Sequence, residues 1–368
     1  MMHQSLNEEY ARKLISPQEA AELVESGDRL HLGGAANIAT IIDKYLAQRK
    51  NELRDVYVQT YIDTSEHAIL SDDTCYEAFQ WNSAFLLGPV RHKSKELGIG
   101  VYIPEAWHSA PDIYRSKLRY EKFYLVTAPM DQYGFLNFGL TVGHTRAITE
   151  VADTVVAVVR PDMPYIYGGF EESIHISNVD YIVEDNEFST FTLPSIEGTE
   201  EDRRIAYNIC NSDLIEDGST IQVGIGAMPN ILLQDIKECN LKHCGLHTEM
   251  LTEKMVDLIN AGVVDNSQKS FDKGKTVFTF CLGGRELYDF VHKNPLFASY
   301  PVNYTNHPAL LAQQHKLFSL NSAAQIDLTG QVASEQICTS STPVQISGTG
   351  GQLDFVMGTC LSHDKRGK

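Results

Sequence analysis

Residues 220–249 read TIQVGIGAMPNILLQDIKECNLKHCGLHTE. This pattern predicts a β-strand over residues 221–223, a glycine turn over residues 224–229, an amphipathic helix, and a second short strand that ends on Glu249. In open α/β sheets, ligands lie outside the carboxyl ends of the parallel strands. The stretch places a glycine turn and a carboxylate at two such ends, so it indicates a site where a nucleotide-like ligand meets a reactive acid.

The overall composition is that of a globular protein with a large core. The chain has 368 residues, 43% of them hydrophobic, and this length suggests two domains. We expect a cytoplasmic protein, because no apolar run is long enough to span a bilayer and the N-terminus does not resemble a signal peptide. Seven scattered cysteines predict reduced thiols instead of a disulfide framework.

The formal net charge of −18 excludes some classes of partner. No block of lysine and arginine offsets this charge, so we expect no nucleic-acid partner, and we expect no membrane partner either. An anionic ligand would need local donors, either a few basic side chains or the backbone N–H groups of glycine turns and helix N-termini.

The strand, glycine turn and helix of residues 220–249 have a counterpart near the N-terminus. One constant shift along the chain places Gly33 on Gly224, and helices follow in both copies. We therefore predict an α/β fold of two related domains with mostly parallel sheets, residues 1–194 and 195–368, with the boundary in a linker near Pro194. The alternative is that two unrelated strand–glycine–helix units look alike.

Further runs of β-branched or aromatic residues have the length of buried strands. They predict strands over residues 123–126, 154–159, 276–280 and 318–320.

The glycine turn permits a second interpretation. Gly224, Gly226 and the later acid Glu249 mimic a dinucleotide-binding fingerprint, in which the acid would bind a ribose of NAD. The third glycine of that fingerprint is replaced by Pro229, which favours the first turn of a helix. The dinucleotide interpretation therefore remains as a minor alternative.

A second glycine-rich segment, residues 347–355, reads SGTGGQLDF. Successive glycines let backbone N–H groups point into a site, which suits either a phosphate or a developing oxyanion. An ordinary loop is the alternative, and the segment alone does not decide.

Four cysteine and histidine residues, the types that often bind metals, lie close together where the predicted helix joins the strand. Cys239, His243, Cys244 and His247 have a spacing that matches no standard zinc pattern, so we expect no metal site.

Residues 303–308 predict a polar turn ahead of a helix. Asn306 or His307 is free to cap that helix. The alternative is an amide donor that faces the ligand, and the spacing does not choose between the two.

Five motifs, taken together and in order, resemble the acetyl-CoA hydrolase/transferase family. They lie at residues 223–230, 246–250, 305–308, 319–323 with 327–330, and 350–355. The similarity covers essentially the whole chain, and the motifs look most like those of 4-hydroxybutyrate CoA-transferases and butyryl-CoA:acetate CoA-transferases. The resemblance implies two CoA-transferase-type α/β domains with the active site between them. It also implies no metal, no permanently bound cofactor, coenzyme A as a substrate, and a homodimer or a multiple of dimers.

The resemblance implies roles for individual residues. Glu249 matches the family's nucleophile, Asn306 its side-chain oxyanion donor and Gly351 its backbone oxyanion donor. Contacts to substrate and CoA are expected from both glycine segments, namely from Gly224, Gly226, Ala227, Met228, Pro229, Gly348, Gly350 and Gln352.

The function implied by the resemblance is CoA transfer between a short acyl-CoA, such as 4-hydroxybutyryl- or butyryl-CoA, and a carboxylate such as acetate. A hydrolase would use the same glutamate and admit water. A nicotinamide-dependent oxidoreductase and a non-catalytic CoA-binding protein are further alternatives. Family members usually continue through another α/β portion, whereas this chain stops at Lys368, so we expect either a missing C-terminal piece or an unusual protein.

Overall fold

The computed structural model describes residues 2–71, 73–97, 100–194, 197–338 and 343–368. Residues 195 and 196, at the predicted domain boundary, lie outside the described residues, so that boundary stays a prediction. The described segments form an α/β fold in which most paired strands are parallel. The fold class predicted from the sequence is therefore confirmed.

The strands of the first half build one large sheet and one small hairpin. They are β1 (Arg29–Gly34), β2 (Val56–Tyr61), β3 (Phe79–Ser83), β4 (Val101–Tyr102), β5 (Tyr120–Thr127), β6 (Phe135–Asn137), β7 (Ala152–Val159), β8 (Ser173–His175) and β9 (Tyr181–Glu184). The large sheet has seven strands in the order β4-β3-β2-β1-β5-β7-β9, and every neighbouring pair is parallel. The antiparallel pair β6 and β8 stands apart from it.

The middle of this sheet is buried. Residues 123–127 of β5 and 155–159 of β7 are buried without interruption. A parallel strand covered on both faces has such a continuous apolar run, because no side faces water. The strands predicted over residues 123–126 and 154–159 are confirmed.

The strands of the second half are short and fall into several small sheets. They are β10 (Thr220–Val223), β11 (Gly245–Leu246), β12 (Met250–Leu251), β13 (Thr276–Phe278), β14 (Phe280–Cys281), β15 (Phe297–Ser299), β16 (Leu317–Leu320), β17 (Gln325–Ile326), β18 (Val332–Ala333), β19 (Gln336–Ile337) and β20 (Val344–Gln345). Strand β10 lies between β11 and β16 and is parallel to both. Strand β12 pairs with β14 and β13 pairs with β15, again parallel, whereas β17–β18 and β19–β20 are antiparallel.

The helices connect and cover these sheets. They are α1 (Met2–Lys13), α2 (Pro17–Glu22), α3 (Thr40–Gln48), α4 (Gly88–Leu97), α5 (Ala110–Lys117), α6 (Thr145–Val151), α7 (Glu200–Cys210), α8 (Ala227–Glu238), α9 (Glu253–Asn260), α10 (Arg285–Val291), α11 (Val302–Thr305), α12 (Pro308–Leu311) and α13 (Gln352–Cys360). Within the described part of the chain, no helix is both long and apolar enough to cross a bilayer.

The two related strand–turn–helix units are both present. Strand β1 leads through Gly33 and a short 3₁₀ turn into α3, and β10 leads through Gly226 into α8. Both glycines have the positive φ that favours glycine, +83° at Gly33 and +136° at Gly226. In each unit the helix is followed by a strand parallel to the first, β2 in one and β11 in the other.

The single strand predicted over residues 276–280 is wrong in one respect, because it is broken at Thr279. The backbone N–H groups of Thr279 and Phe280 both donate to the carbonyl oxygen of Glu249, at 3.0 and 3.2 Å. The carbonyl of Thr279 accepts instead from Val142 at 3.0 Å. These bonds replace a regular ladder, so the break fixes the backbone of Glu249.

Candidate active site

Glu249 lies between the short strands β11 and β12, at the end of the stretch of residues 220–249. Its backbone is held by the two N–H groups of the broken strand described above. Its side chain lines a cavity, and the residue as a whole is half-buried. The fold therefore presents one carboxyl group from a fixed backbone position.

Asn306 is the nearest side-chain donor to that carboxyl group. It follows the short helix α11, and its Nδ2 donates to Oε2 of Glu249 at 2.6 Å. The next residue, His307, caps α12, because its Nδ1 accepts from the backbone N–H of Ala309 at 3.2 Å. His307 therefore caps the helix, and the amide of the neighbouring Asn306 is free to bind the carboxyl group of Glu249.

Gly351 approaches the same carboxyl group from the second glycine segment. Its backbone N–H donates to Glu249, and it is the residue immediately before α13. A Cβ atom at this position would lie 1.7 Å from Oε2 of Glu249 and 2.1 Å from Nδ2 of Asn306. The φ of Gly351 is −103°, which other residues also adopt. Glycine is therefore needed here for space and not for backbone conformation.

The surroundings of Glu249 change its acidity. Its pKa is raised to about 8, mainly by burial and to a smaller extent by the negative charge of Asp354, although the hydrogen bonds from Asn306 and Gly351 act to lower it. The carboxyl group is consequently more basic than an exposed glutamate. Once ionised it is a dehydrated carboxylate, which is a stronger nucleophile than one in water.

The buried Asp354 pairs with the half-buried His108 beside this centre. Nδ1 of His108 lies 2.7 Å from Oδ1 of Asp354, and the backbone N–H of His108 donates to Oδ2 at 3.0 Å. Oδ2 also lies 3.5 Å from Nδ2 of Asn306, at the outer limit of a hydrogen bond. The Asp354 hydrogen bond in turn raises the pKa of His108. Asp354 thus joins residue 108 of the first half to the Asn306 amide.

His247 joins the strand of Glu249 to the segment of Asn306. Its Nδ1 accepts from the amide of Gln314 at 3.2 Å, so its Nε2 carries the proton and donates to the carbonyl of Thr305 at 2.8 Å. Burial lowers the pKa of His247 to about 3, and the ring is therefore neutral at ordinary pH. His247 lies two residues before Glu249. Its bond to Thr305 fixes the residue immediately before Asn306, the amide donor.

The cavity at Glu249 has a volume of about 320 Å³. Both halves of the chain supply its walls. The lining residues are Tyr61, Ile62, Ala84, Phe85, Leu87, Glu105, Trp107, Gln222, Val223, Gly224, Ile225, Glu249, Met250, Phe280, Leu282, Asn321, Ser322, Ser334, Ser347, Gly348, Thr349, Gly350, Gly351, Gln352 and Phe355. The walls are thus mostly apolar, and they converge on the carboxyl group.

The structure places the predicted substrate-binding residues in two groups. Gly224, Gly348, Gly350 and Gln352 line the cavity of Glu249. The remaining four, residues 226–229, begin helix α8 and are not part of its lining. Contacts from either group to a ligand stay predictions.

Residues of the first half hold the second glycine segment in place. The hydroxyl of Tyr102 accepts from the backbone N–H of Thr349 at 3.0 Å and donates to Glu335 at 2.6 Å. The backbone N–H of Trp107 donates to the carbonyl of Gly350 at 3.4 Å. The segment that carries the Gly351 donor is therefore fixed from the opposite side of the cavity.

The two histidines among these four candidate metal ligands have other partners. His243 pairs with Asp265 at 2.7 Å, and His247 makes the two bonds described above. Within the described ranges, no group of three or more histidine, cysteine, aspartate or glutamate side chains is arranged to hold a metal ion.

Sequence reasoning missed His108, Asp354, Glu105 and the tether at His247. Asp354 stands in the quoted glycine motif, and His247 stands in the motif before Glu249, so both had a visible signal. Glu105 and His108 had none, because they follow the short strand β4 in an irregular segment and reach the site only through the fold.

Known proteins match along the whole chain. A model described as the acetyl-CoA hydrolase/transferase N-terminal domain matches residues 1–194, and one described as the C-terminal domain matches residues 283–368. The chain is 38% identical to the butyryl-CoA:acetate CoA-transferase of Anaerostipes caccae, over 98% of this chain and 79% of that protein. It is 33% identical to the 4-hydroxybutyrate coenzyme A transferase of Clostridium kluyveri, over 96% and 80%. The crystal structure of RipA from Yersinia pestis superposes with a TM-score of 0.86 at 32% identity, over 98% of this chain and 81% of that one.

Proposed function

Since the chain belongs to the acetyl-CoA hydrolase/transferase family, we propose that it transfers CoA between a short-chain acyl-CoA and a carboxylate such as acetate, with Glu249 as the nucleophile. One observation carries the proposal. The buried carboxyl group of Glu249 accepts hydrogen bonds from the Asn306 amide and the Gly351 N–H at the wall of a mostly apolar cavity. The relatives reported above are named CoA-transferases, and these names support transfer of CoA to an acid over hydrolysis of the thioester by water.

In the first step, ionised Glu249 attacks the thioester carbonyl of the acyl-CoA. The carbon–sulfur bond breaks, an acyl–glutamyl anhydride forms, and CoA leaves as the thiolate. The raised pKa of Glu249 means that its proton must leave before this attack. The apolar walls strip water from the carboxylate, which makes it a stronger nucleophile once it is ionised.

In the second step, the CoA thiolate attacks the glutamyl carbonyl of the anhydride and releases the original acid. The oxyanion of this step develops on an oxygen of Glu249 itself. Asn306 and Gly351 already donate to that carboxyl group, so they stabilise the charge without rearrangement. The resulting glutamyl–CoA thioester retains the thioester energy, and an incoming acid reverses the two steps.

The test is CoA transfer measured with and without an acid acceptor. Incubation of butyryl-CoA with acetate is expected to yield acetyl-CoA, and CoA release in the absence of acetate is expected to be slow. Release of free CoA at the same rate in the presence and absence of acetate would instead identify a hydrolase.

Trapping the covalent intermediate tests the nucleophile. After incubation with acyl-CoA alone, borohydride or hydroxylamine treatment followed by peptide mass spectrometry is expected to locate the adduct on Glu249. Glu249→Ala is expected to abolish both adduct and transfer, whereas Glu238→Gln, on the exposed end of α8, is expected to leave both unchanged. Near-normal transfer by Glu249→Ala would refute the assignment.

A further inference from the structure

The side-chain amide of Asn306 has two possible orientations, and only one of them serves the proposed reaction. In the structure Nδ2 donates to Oε2 of Glu249 at 2.6 Å, whereas a half-turn of the amide group would present Oδ1 to Glu249 instead. In that reversed orientation Oδ1 could accept the proton of a neutral Glu249, but it could not stabilise a negatively charged oxygen. Because the pKa of Glu249 is raised to about 8, the neutral form predominates below that pH, and it forms a hydrogen bond with either end of the amide. Glu249 alone therefore does not select the useful orientation.

The rest of the Asn306 amide has no partner that would select it either. Oδ1 is buried and forms no hydrogen bond with any residue that the structure describes. The whole side chain of Asn306 is inaccessible to solvent. The bond from His247 fixes the carbonyl of Thr305 and leaves the rotation of the Asn306 amide undetermined.

Asp354 supplies the missing selection. Its Oδ2 lies 3.5 Å from Nδ2 of Asn306, on the side away from Oε2 of Glu249, and its negative charge acts on Glu249 as well. In the reversed orientation an amide oxygen would face this carboxylate oxygen, and two acceptors would meet in a buried place without a hydrogen between them. Asp354 thus favours Nδ2 at this position whether Glu249 is protonated or ionised.

His108 holds Asp354 in place. Nδ1 of His108 lies 2.7 Å from Oδ1 of Asp354, and the backbone N–H of His108 donates to Oδ2 at 3.0 Å. Among the described residues, His108 is the one basic side chain within ion-pair distance of this buried carboxylate. A carboxylate that is removed from water needs such charge-assisted donors. The first half of the chain therefore supports a catalytic amide of the second half.

Three other titratable groups lie near the pair. The pKa of His108 is raised first by its hydrogen bond to Asp354 and to a smaller extent by the charge of Asp112 in α5. The ring of His307 lies 5.5 Å from the ring of His108, and Glu249 lies beyond the Asn306 amide. Within the described residues, Nδ2 of Asn306 donates to Glu249 and Asp354 alone, so neither Asp112 nor His307 replaces Asp354 as its acceptor.

We propose that Asp354, held by His108, keeps the Asn306 amide turned so that it donates to Glu249 before that residue loses its proton. Asp354 and His108 are then positioning residues, which act on the reaction through Asn306. The inference rests on the proposed function and deepens it. An oxyanion donor that is already oriented in the free enzyme requires no reorganisation when charge develops.

The test removes the acceptor at residue 354 and then restores it, with CoA transfer from butyryl-CoA to acetate measured above the pH midpoint of every variant. Asp354→Leu keeps the shape of the side chain without an acceptor, and kcat is expected to fall between about 10-fold and the roughly 10²- to 10³-fold of a lost oxyanion donor, with little change in KM. Asp354→Asn still presents an oxygen to Asn306 and is expected to recover most of kcat. Asp265→Leu is the matched control, because the exposed Asp265 lies at the same distance of 2.7 Å from Nδ1 of His243, and it is expected to keep kcat.

A double-mutant cycle separates positioning from general damage to the structure. In an Asn306→Ala background, Asp354→Leu is expected to change kcat by less than about twofold, because the amide through which it acts is absent. The same fold-loss in both backgrounds would show that Asp354 acts independently of Asn306, and it would overturn the inference.

His108→Leu keeps the inference testable if Asp354→Leu does not fold. The side chain of His108 is 25% exposed, so its replacement is expected to leave a folded protein, which thermal unfolding checks. A fall in kcat of about tenfold is expected, the loss given by a hydrogen bond to a charged group. His108→Asn donates from nearly the same place as Nδ1 and is expected to recover most of this loss.

The outcomes distinguish this inference from the proposed function. Wild-type transfer to acetate combined with an unchanged kcat in Asp354→Leu or in His108→Leu overturns the inference and leaves the function standing. Failure of both Asp354→Asn and His108→Asn to recover any activity also overturns it. Absence of transfer to any acid by the wild type overturns both.

Discussion

A Cβ atom on Gly351 would lie 1.7 Å from Oε2 of Glu249, closer than two non-bonded heavy atoms can approach. The backbone of residue 351 itself is compatible with other amino acids, since its φ is −103°. The requirement for glycine therefore originates in the chemistry of the site. Only a residue without a side chain lets its N–H reach the carboxyl group.

Gly351→Ala is expected to reduce kcat by roughly 10² to 10³, the loss typical when an oxyanion donor is removed. The added methyl group would displace both Glu249 and the Asn306 amide. Steady-state kinetics and the yield of glutamyl–CoA adduct measure the effect. Gly88→Ala is the matched control, because a Cβ at Gly88 meets no atom within 4 Å, and it is expected to be neutral. Equal activity of the two variants would show that the Gly351 contact does not matter.

Asn306→Ala is expected to lower activity, whereas His307→Ala is expected to lower stability. Loss of the Asn306 amide should lower kcat by roughly 10² to 10³ with little change in the free energy of unfolding, since Oδ1 of Asn306 has no partner among the described residues. Loss of the His307 cap should cost about 1 kcal/mol of stability and leave most activity. Steady-state kinetics and thermal unfolding of both variants test this prediction. An equal loss of activity in the two variants would contradict the assignment of catalysis to Asn306 and of helix capping to His307.

The pH dependence of transfer is expected to report the raised pKa of Glu249. Because only the ionised carboxylate attacks, kcat/KM should fall about tenfold per pH unit below a midpoint near 8. Asp354→Asn removes the negative charge that raises this pKa, so the midpoint should move to lower pH. A midpoint near 4.5, the ordinary value for glutamate, would refute the described environment.

Stability should vary with pH through the same group, with a definite sign. The folded-state pKa of Glu249 lies above its ordinary value of 4.5, so the native protein binds the proton more tightly than the unfolded chain. Ionisation then destabilises the native state progressively as pH rises from about 4.5 to 8. Glu249→Gln is expected to unfold at a higher temperature than the wild type, by a margin that grows over this interval. A margin independent of pH would contradict the prediction.

His247 is expected to act as a positioning residue. His247→Leu leaves the Thr305 carbonyl and the Gln314 amide without their partner, so Asn306 should shift away from Glu249. We expect a fall in kcat larger than the change in KM, with a stability loss of about 1 to 3 kcal/mol for an unpaired buried group. His247→Gln can still donate and should recover part of kcat. Failure of Gln to recover any activity would leave His247 with a purely structural function.

The strand–turn–helix unit at residues 220–249 was predictable because its signals are local. A short apolar run, a glycine with positive φ and a helix follow one another in the sequence as they do in space. The break of the 276–280 strand was not predictable, since it depends on hydrogen bonds from Thr279 and Phe280 to a residue far away in the sequence. Local propensity there still favours a continuous strand, and tertiary contacts override it.

The candidate site likewise has residues that the sequence predicts and residues that only the fold reveals. Glu249, Asn306 and Gly351 were nominated together because their motifs resemble those of a known family, and the structure brings them within contact of one another. The pairing of His108 with Asp354 spans 246 residues of sequence, and no local pattern encodes such a contact. Glu105 is inconspicuous in the sequence for a similar reason, because its surroundings come from several distant elements.

The fastening of the second glycine segment has a mechanical consequence. On one side of the segment, Tyr102 is hydrogen-bonded to Thr349 and Trp107 to Gly350. On the other side, the backbone N–H of the adjoining Gly351 donates to Glu249. Any displacement of this segment away from Glu249 would therefore withdraw an amide hydrogen from the carboxyl group. The two anchoring residues of the first half thus help to preserve the reactivity of a glutamate that they do not contact.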